Sequence, residues 1–510
     1  MKHARKLASL LLALVMVFAL ATTASAADGT NKITIKNASD GHTYEAYQIF
    51  TGDYSEGKLS NIVWGNGVTE DGKTALQDKY DATTEGEKSA AGVAEALTST
   101  TIANAFAKEV SKYLSETKYT SGAYNNDSYE ISALDAGYYL VMDQAGSQSG
   151  QDQAYTAFIL KVAGTVEVSP KSAKPTVDKL VYDEPADAEE GHTDGWGETA
   201  DHAINESFQF KLIAKLPADK DFGAYDKYKV AFSDTMSAGV TFESIASVAV
   251  GGHSITDYTC TATAGQEGGE WKLTIEDIKT AGVDLTKGTE VVVIYNAHLN
   301  EKAQVNHESG STTNKNTVSL EYSNNPNVEG LGKTPEDTVW VFTYEVDNTK
   351  YQNALPADGG IALADAGFRL YQNGQEVSLI YDTTLSAYRP TKGNETAEEM
   401  KSAADGKFNI VGLDAGTYTL KETTTPTGFN TCEDITITIS ANHTENADGA
   451  SATTTLTAES TMTNNIVNKS GSTLPETGGM GTTLFYVLGG VLVLAAVVLL
   501  VTKKRMRSEN

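Results

Sequence analysis

Phe208-Gln209-Phe210-Lys211-Leu212-Ile213-Ala214-Lys215-Leu216 places an apolar side chain at every second position. A period of two belongs to a β-strand, whose successive side chains point to opposite faces, so this stretch buries one face. Similar runs recur at Lys32-Ile33-Thr34-Ile35-Lys36, Val291 to Tyr295 and Asp434 to Ile439, separated by Gly, Asn and Asp turns. Thr, Val, Tyr and Gly are plentiful and long helical patterns are few. The pattern predicts an all-β chain of tandem Ig-like sandwiches. The exception is Ser89 to Leu114, whose Ala, Leu, Phe and Lys fall at helical spacing and predict a helical insertion in the first domain.

Two stretches break the alternation. Residues 169–175 (SPKSAKP) and 324–336 (NNPNVEGLGKTPE) read as linkers. They divide the body into domains at 28–170, 173–330 and 337–470. A short repeat links the outer two: Leu134-Asp135-Ala136-Gly137 precedes Tyr138-Tyr139-Leu140, and Leu413-Asp414-Ala415-Gly416 precedes Thr417-Tyr418-Thr419-Leu420. It suggests one hairpin used twice.

The ends carry address signals. Lys2, Arg5 and Lys6 precede an apolar run from Leu7 to Leu20, and Ala24-Ser25-Ala26 offers small residues for cleavage; residues 1–26 are a secretory signal peptide. At the other end, Leu474-Pro475-Glu476-Thr477-Gly478 is followed by an apolar run of 18 residues, Leu484 to Val501. As a helix this run is ~27 Å long, enough to cross a bilayer. Lys503, Lys504, Arg505 and Arg507 hold its end at the cytoplasmic face. Residues 474–510 thus form one unit.

The formal charge is −28, and both terminal segments are basic, so the secreted body is more acidic still. Such a chain repels nucleic acid. Cys260 and Cys432 fall in different expected domains and are read as free or structurally minor. The eight histidines are scattered, and no metal-ligand spacing, phosphate loop or nucleophile–base constellation stands out. No cofactor, no metal and no turnover activity are expected.

Strand parity puts charges where they do not belong. Lys179 shares a face with Val177 and Val181, Asp234 with Val230 and Phe232, and Asn316 with Val318, Leu320 and Tyr322; Asn314 has the same parity as Asn316. In the third domain Lys350 follows Trp340, Phe342, Tyr344 and Val346, Glu422 follows Tyr418 and Leu420, and Asn468 follows Ile466. A lysine, an acid and an asparagine therefore point inward in the same order in two domains. Burial drives a lysine toward the neutral amine and a carboxyl toward the neutral acid. A neutral amine can attack the asparagine side-chain carbon while the acid moves protons, expelling ammonia and leaving a Lys–Asn isopeptide bond. Asp234 and Glu422 are the candidate promoting acids. The first domain offers Asp143 opposite Glu422, with Lys32 and Lys36 in its first strand. It has no asparagine between Asn126 and Asn205 to serve as the electrophile.

These features together resemble a known group. Leu474 to Gly478 with its span and basic tail is similar to the cell-wall sorting signal of Gram-positive surface proteins, which a sortase cuts between the threonine and the glycine, passing the threonine carbonyl through a thioester to an amine. Val346 to Lys350 with Leu363-Ala364-Asp365-Ala366-Gly367-Phe368-Arg369-Leu370 resembles the opening of a collagen-adhesin B-type domain. Tyr418-Thr419-Leu420-Lys421-Glu422-Thr423 with Pro426 and Gly428-Phe429 resembles the pilin E-box, and Phe232 to Phe242 resembles the acid-bearing strand of a pilin middle domain. Over nearly its whole length the chain is similar to the backbone pilins of sortase-assembled fimbriae. The resemblance implies a covalently polymerised shaft subunit, with itself, pilin-specific and housekeeping sortases and peptidoglycan as partners, and a minor tip pilin and a host ligand as further ones. A wall-anchored monomeric adhesin or minor pilin is the rival reading. The group's polymerisation lysine follows a Tyr-Pro; here Ser169-Pro170-Lys171 is the nearest match, with Lys174 as competitor.

Overall fold

A computed structural model describes residues 31–471, apart from short stretches that include 148–156, 170–173, 185–193 and 325–330, and residues 480–506. The chain is mostly β, and it falls into two compact units. Residues up to Glu345, with Val411–Gly416 and Thr438–Ser460, make the first; Val346–Ile410, Thr417–Ile437 and the residues from Thr461 make the second. The signal peptide, Lys171 and Leu474 to Gly478 lie outside the described residues.

The N-terminal part of the first unit sandwiches two sheets. Asn31–Lys36 pairs antiparallel with Ser128–Leu134 and parallel with Thr165–Val168. A five-stranded sheet built on Tyr44–Ser55 and Gly137–Asp143 faces it. Ile33, Ile35, Tyr44, Tyr129, Ile131, Tyr139 and Val141 fill the space between. Helices cover the other face of the five-stranded sheet, packing Leu76, Val93 and Phe106 against Ile49 and Phe50.

The helical insertion differs from its sequence reading. It holds three helices, Glu70–Tyr80, Ala90–Ala96 and Thr100–Val110. The expected single helix over 89–114 breaks after Ala96, whose C-cap is Leu97; Thr98 follows, and its β-branched hydroxyl side chain disfavours helix and competes for the backbone groups. The first helix has no apolar stripe to reveal it; only Gly72 and Leu76 are buried, and Thr69 caps it by accepting from Gly72 N.

The LDAG repeat is not a hairpin. Ser128–Leu134 and Gly137–Asp143 belong to different sheets, as do Ile410–Leu413 and Gly416–Thr424. In both copies the residue before the leucine, Ala133 or Gly412, has φ near +61° to +76°. That left-handed residue swings the chain, so the motif is a corner between the layers of a sandwich.

A twelve-stranded sheet dominates the rest of the first unit. Thr176–Tyr182 pairs with Ser207–Leu216, then in turn come Thr289–Leu299, Val230–Val250, Asn314–Ser323, Asp337–Phe342 and Thr199–Asp201. The sheet curls so that Lys179 N donates to Asp337 Oδ2 at 2.6 Å, bringing its first strand against one near the far end. Part of the expected second linker is structured: Leu331–Lys333 is a strand on Asn314–Ser323. Asp337–Phe342, read from sequence as the start of the third domain, is a strand of this sheet.

In the second unit Asp347–Gln352 runs parallel to Thr463–Asn468, and Gly367–Gln372 antiparallel to Tyr418–Thr424. Met480–Met506 is a helix whose segment Phe485–Arg505, 21 residues of mean hydropathy 2.7, is long and apolar enough to cross a membrane.

Candidate functional site

The alternation of Thr176–Tyr182 turns Lys179 inward with Val177 and Val181. Asp234 lies opposite Val318, two residues from the Met236–Asn316 pair, so acid and amide sit side by side on one face. Both Lys179 and Asp234 side chains are fully buried, and Lys179 Nζ donates to Asp234 Oδ2. Burial pushes the amine down and the carboxyl up, against the attraction each exerts on the other. Both directions favour a neutral amine beside a neutral acid. Phe210 and Tyr295 wall the amine, their ring centres 5.1 and 5.5 Å from Nζ. Asn316 is wholly buried and Asn314 nearly so, but their surroundings differ. Asn314 is tied to backbone, donating to Gln304 O and Val341 O and accepting from Gln304 N. Asn316 donates to the Tyr295 hydroxyl at 2.5 Å.

The second unit assembles the same residue types differently. Lys350 Nζ donates to Asn468 Oδ1 at 2.5 Å, and Asn468 Nδ2 donates to Glu422 Oε1 at 2.5 Å. Glu422 Oε2 lies 3.8 Å from Nζ and accepts from Cys432 N at 2.7 Å. Phe368 stands 5.1 Å from the amine, backed by Phe408. Burial lowers the Lys350 amine and pushes the Cys432 thiol up to about 11. Both cysteines are free. Tyr295 and Cys432 are the site neighbours that the parity argument missed.

In the N-terminal sandwich Asp143 is buried, as its alignment with Glu422 implies, but its partner is an imidazole: His42 Nδ1 lies 2.6 Å from Asp143 Oδ1. Lys32 and Lys36 point outward and pair with Glu130 and Glu167, each at 2.7 Å.

Histidines and acids also converge, contrary to the sequence reading that they form no cluster. Asp183, Asp201 and His443 meet in the first unit, all buried. His443 Nδ1 is 2.8 Å from Thr199 Oγ1 and Nε2 is 3.3 Å from Asp183 Oδ2, while Tyr344 donates to Asp201 at 2.9 Å. His202, Glu206 and Asp414 make a second, more open group.

Residues 466–510 match the LPXTG cell wall anchor motif. The chain is a wall-anchored surface protein. Residues 355–453 match the SpaA prealbumin-like fold domain. Among solved structures, the T6 backbone pilin of serotype M6 Streptococcus pyogenes, of modular three-domain structure, aligns over 88% of this chain and 100% of its own at 18% identity and TM-score 0.50. The chain has a backbone-pilin fold. The major pilins SpaD and SpaA of Corynebacterium diphtheriae align at 15% and 13% identity, TM-scores 0.48 and 0.45, over 88% and 86% of this chain and all of theirs. No curated protein matches the sequence.

Proposed function

We propose that this chain is the shaft subunit of a covalent pilus, polymerised head to tail by a pilin-specific sortase that joins Thr477 to Lys171 of the next copy. The role is structural. The only chemistry intrinsic to the chain is formation, once per site, of two internal bonds, Lys179–Asn316 and Lys350–Asn468, promoted by Asp234 and Glu422.

The observation that carries this reading is the pair of buried lysine–acid–asparagine groups lying between Lys171 and Thr477 in sequence. Load entering at Lys171 and leaving at Thr477 traverses both crosslinked segments and bypasses residues 28–170, whose described residues hold no such group. Each bond ties a segment's early strand to a late one, so tension passes through the bond and the loop between stays folded. A lysine beside a proline in a connector also suits an acceptor that another protein must reach. The likeness in fold to a backbone pilin supports the same assignment.

The test is a denaturing gel of wall extracts with peptide mapping. A ladder carrying a Thr477–Lys171 linkage, abolished by Lys171→Ala, is expected. A ladder that survives Lys171→Ala and vanishes with Lys174→Ala moves the acceptor. A single discrete band from the unaltered protein supports a monomeric adhesin instead.

A further inference from the structure

The two lysine groups differ in how the acid reaches the leaving nitrogen. At Lys350 the glutamate touches the Asn468 amide nitrogen directly. At Lys179 the acid is an aspartate, one methylene shorter, and the group on the Asn316 amide nitrogen is the Tyr295 hydroxyl, at 2.5 Å. The same hydroxyl donates to Asp234 at 3.2 Å and accepts from Lys179 Nζ at 3.2 Å. Tyr295 is wholly buried, packed against Trp271 and Phe242 at ring distances of 5.0 and 5.6 Å, so its hydroxyl is held at the meeting point of all three reacting groups.

The geometry points to Tyr295 as a catalytic proton relay between Asp234 and the amide nitrogen that leaves Asn316. This rests on the isopeptide reading above. Lys179 Nζ bonds to Asn316 Cγ, and the carbonyl π pair moves to Oδ1. The attacking nitrogen, now cationic, passes one proton to the Asp234 carboxyl as that carboxyl gives its own proton to the tyrosine oxygen. Tyr295 gives its hydroxyl proton to the amide nitrogen. The C–N bond breaks, the carbonyl re-forms and ammonia departs, with Asp234 and Tyr295 restored. In the planar amide the nitrogen lone pair is delocalised, so Asn316 donates to the hydroxyl. Once Cγ is tetrahedral the nitrogen is basic and the direction of that hydrogen bond reverses.

The experiment follows intact mass during synthesis of the ectodomain, with the Lys350–Asn468 bond of the same molecule as internal control. Unaltered protein should lose two ammonia molecules; if it loses none, the isopeptide reading itself fails. Tyr295→Phe should lose the Lys350–Asn468 ammonia on time and the other about a hundredfold more slowly or not at all. Two losses at the unaltered rate overturn the relay. If Tyr295→Phe perturbs folding, seen in its Trp271 fluorescence, the deciding variant is Tyr295→Phe with Asp234→Glu, where the longer acid reaches the amide nitrogen as Glu422 does. A restored Lys179–Asn316 bond supports the relay, and an unlinked pair overturns it.

Discussion

Lys350 meets Asn468 at the carbonyl end of its side-chain amide, with Nζ 2.5 Å from Oδ1, across two parallel neighbouring strands. Glu422 holds the nitrogen end of that amide. Amine, amide and acid thus stand around one carbon, the proximity that an intramolecular attack would need.

Glu422→Ala should leave this pair unlinked and shrink the deficit from the variant's own sequence mass by one ammonia. Lys350 and Asn468 are 118 positions apart. By analogy with a disulfide closing a loop of that size, losing the bond costs about 4–5 kcal/mol. Calorimetry should show one transition falling by roughly 10–20 °C.

The two asparagines of the Asn314–Ser323 strand should separate cleanly. Asn316→Ala should restore one ammonia. Asn314→Ala should keep the deficit of two ammonia molecules relative to its own sequence mass and cost about 1–3 kcal/mol, because the backbone groups of Gln304 and Val341 lose a buried partner. A smaller deficit in Asn314→Ala would reverse the assignment.

Removing the acid makes the remaining lysine titrate. In Asp234→Ala the bond should not form, and Lys179 stays buried with its amine held below the ordinary range by burial, having lost the nearer of the two carboxylates, Asp234 and Asp337, that pull it up. The unfolded chain then binds a proton that the folded one does not. Stability should therefore rise with pH from the depressed folded value up to the ordinary lysine value near 10.4, by at most about 1.4 kcal/mol per unit. Chemical denaturation at pH 7 and pH 9.5 measures this. Asp234→Ala with Lys179→Met should lose the slope.

His42→Ala takes the imidazole hydrogen-bond partner from the buried Asp143 carboxyl, a change that costs about 1–3 kcal/mol. Limited proteolysis should cut residues 28–170 first, while the mass deficit of two ammonia molecules is kept.

Much of this was legible in the sequence because strands have a period of two. Parity alone turned Lys179, Asp234, Asn316, Lys350, Glu422 and Asn468 inward, and each is buried. Parity does not choose between positions two apart, so Asn314 and Asn316 stayed equivalent until strand register gave them different neighbours. Tyr295 had the same signal, since it follows Val291 and Val293 on an inward face, and a buried hydroxyl needs a partner. A tyrosine also reads as ordinary core, and nothing local says which acid it meets. The Asp183, Asp201 and His443 group joins residues more than 200 positions apart, and the LDAG corner depends on one left-handed residue; neither leaves a periodic trace.

Intact-mass spectrometry with peptide mapping of the wall-derived protein decides whether the two internal bonds exist. Subunits should be two ammonia molecules lighter than the sequence before the intermolecular bond is counted, with linked peptides joining Lys179 to Asn316 and Lys350 to Asn468. A mass equal to that of the sequence, with all four side chains recovered in unlinked peptides, would contradict both assignments.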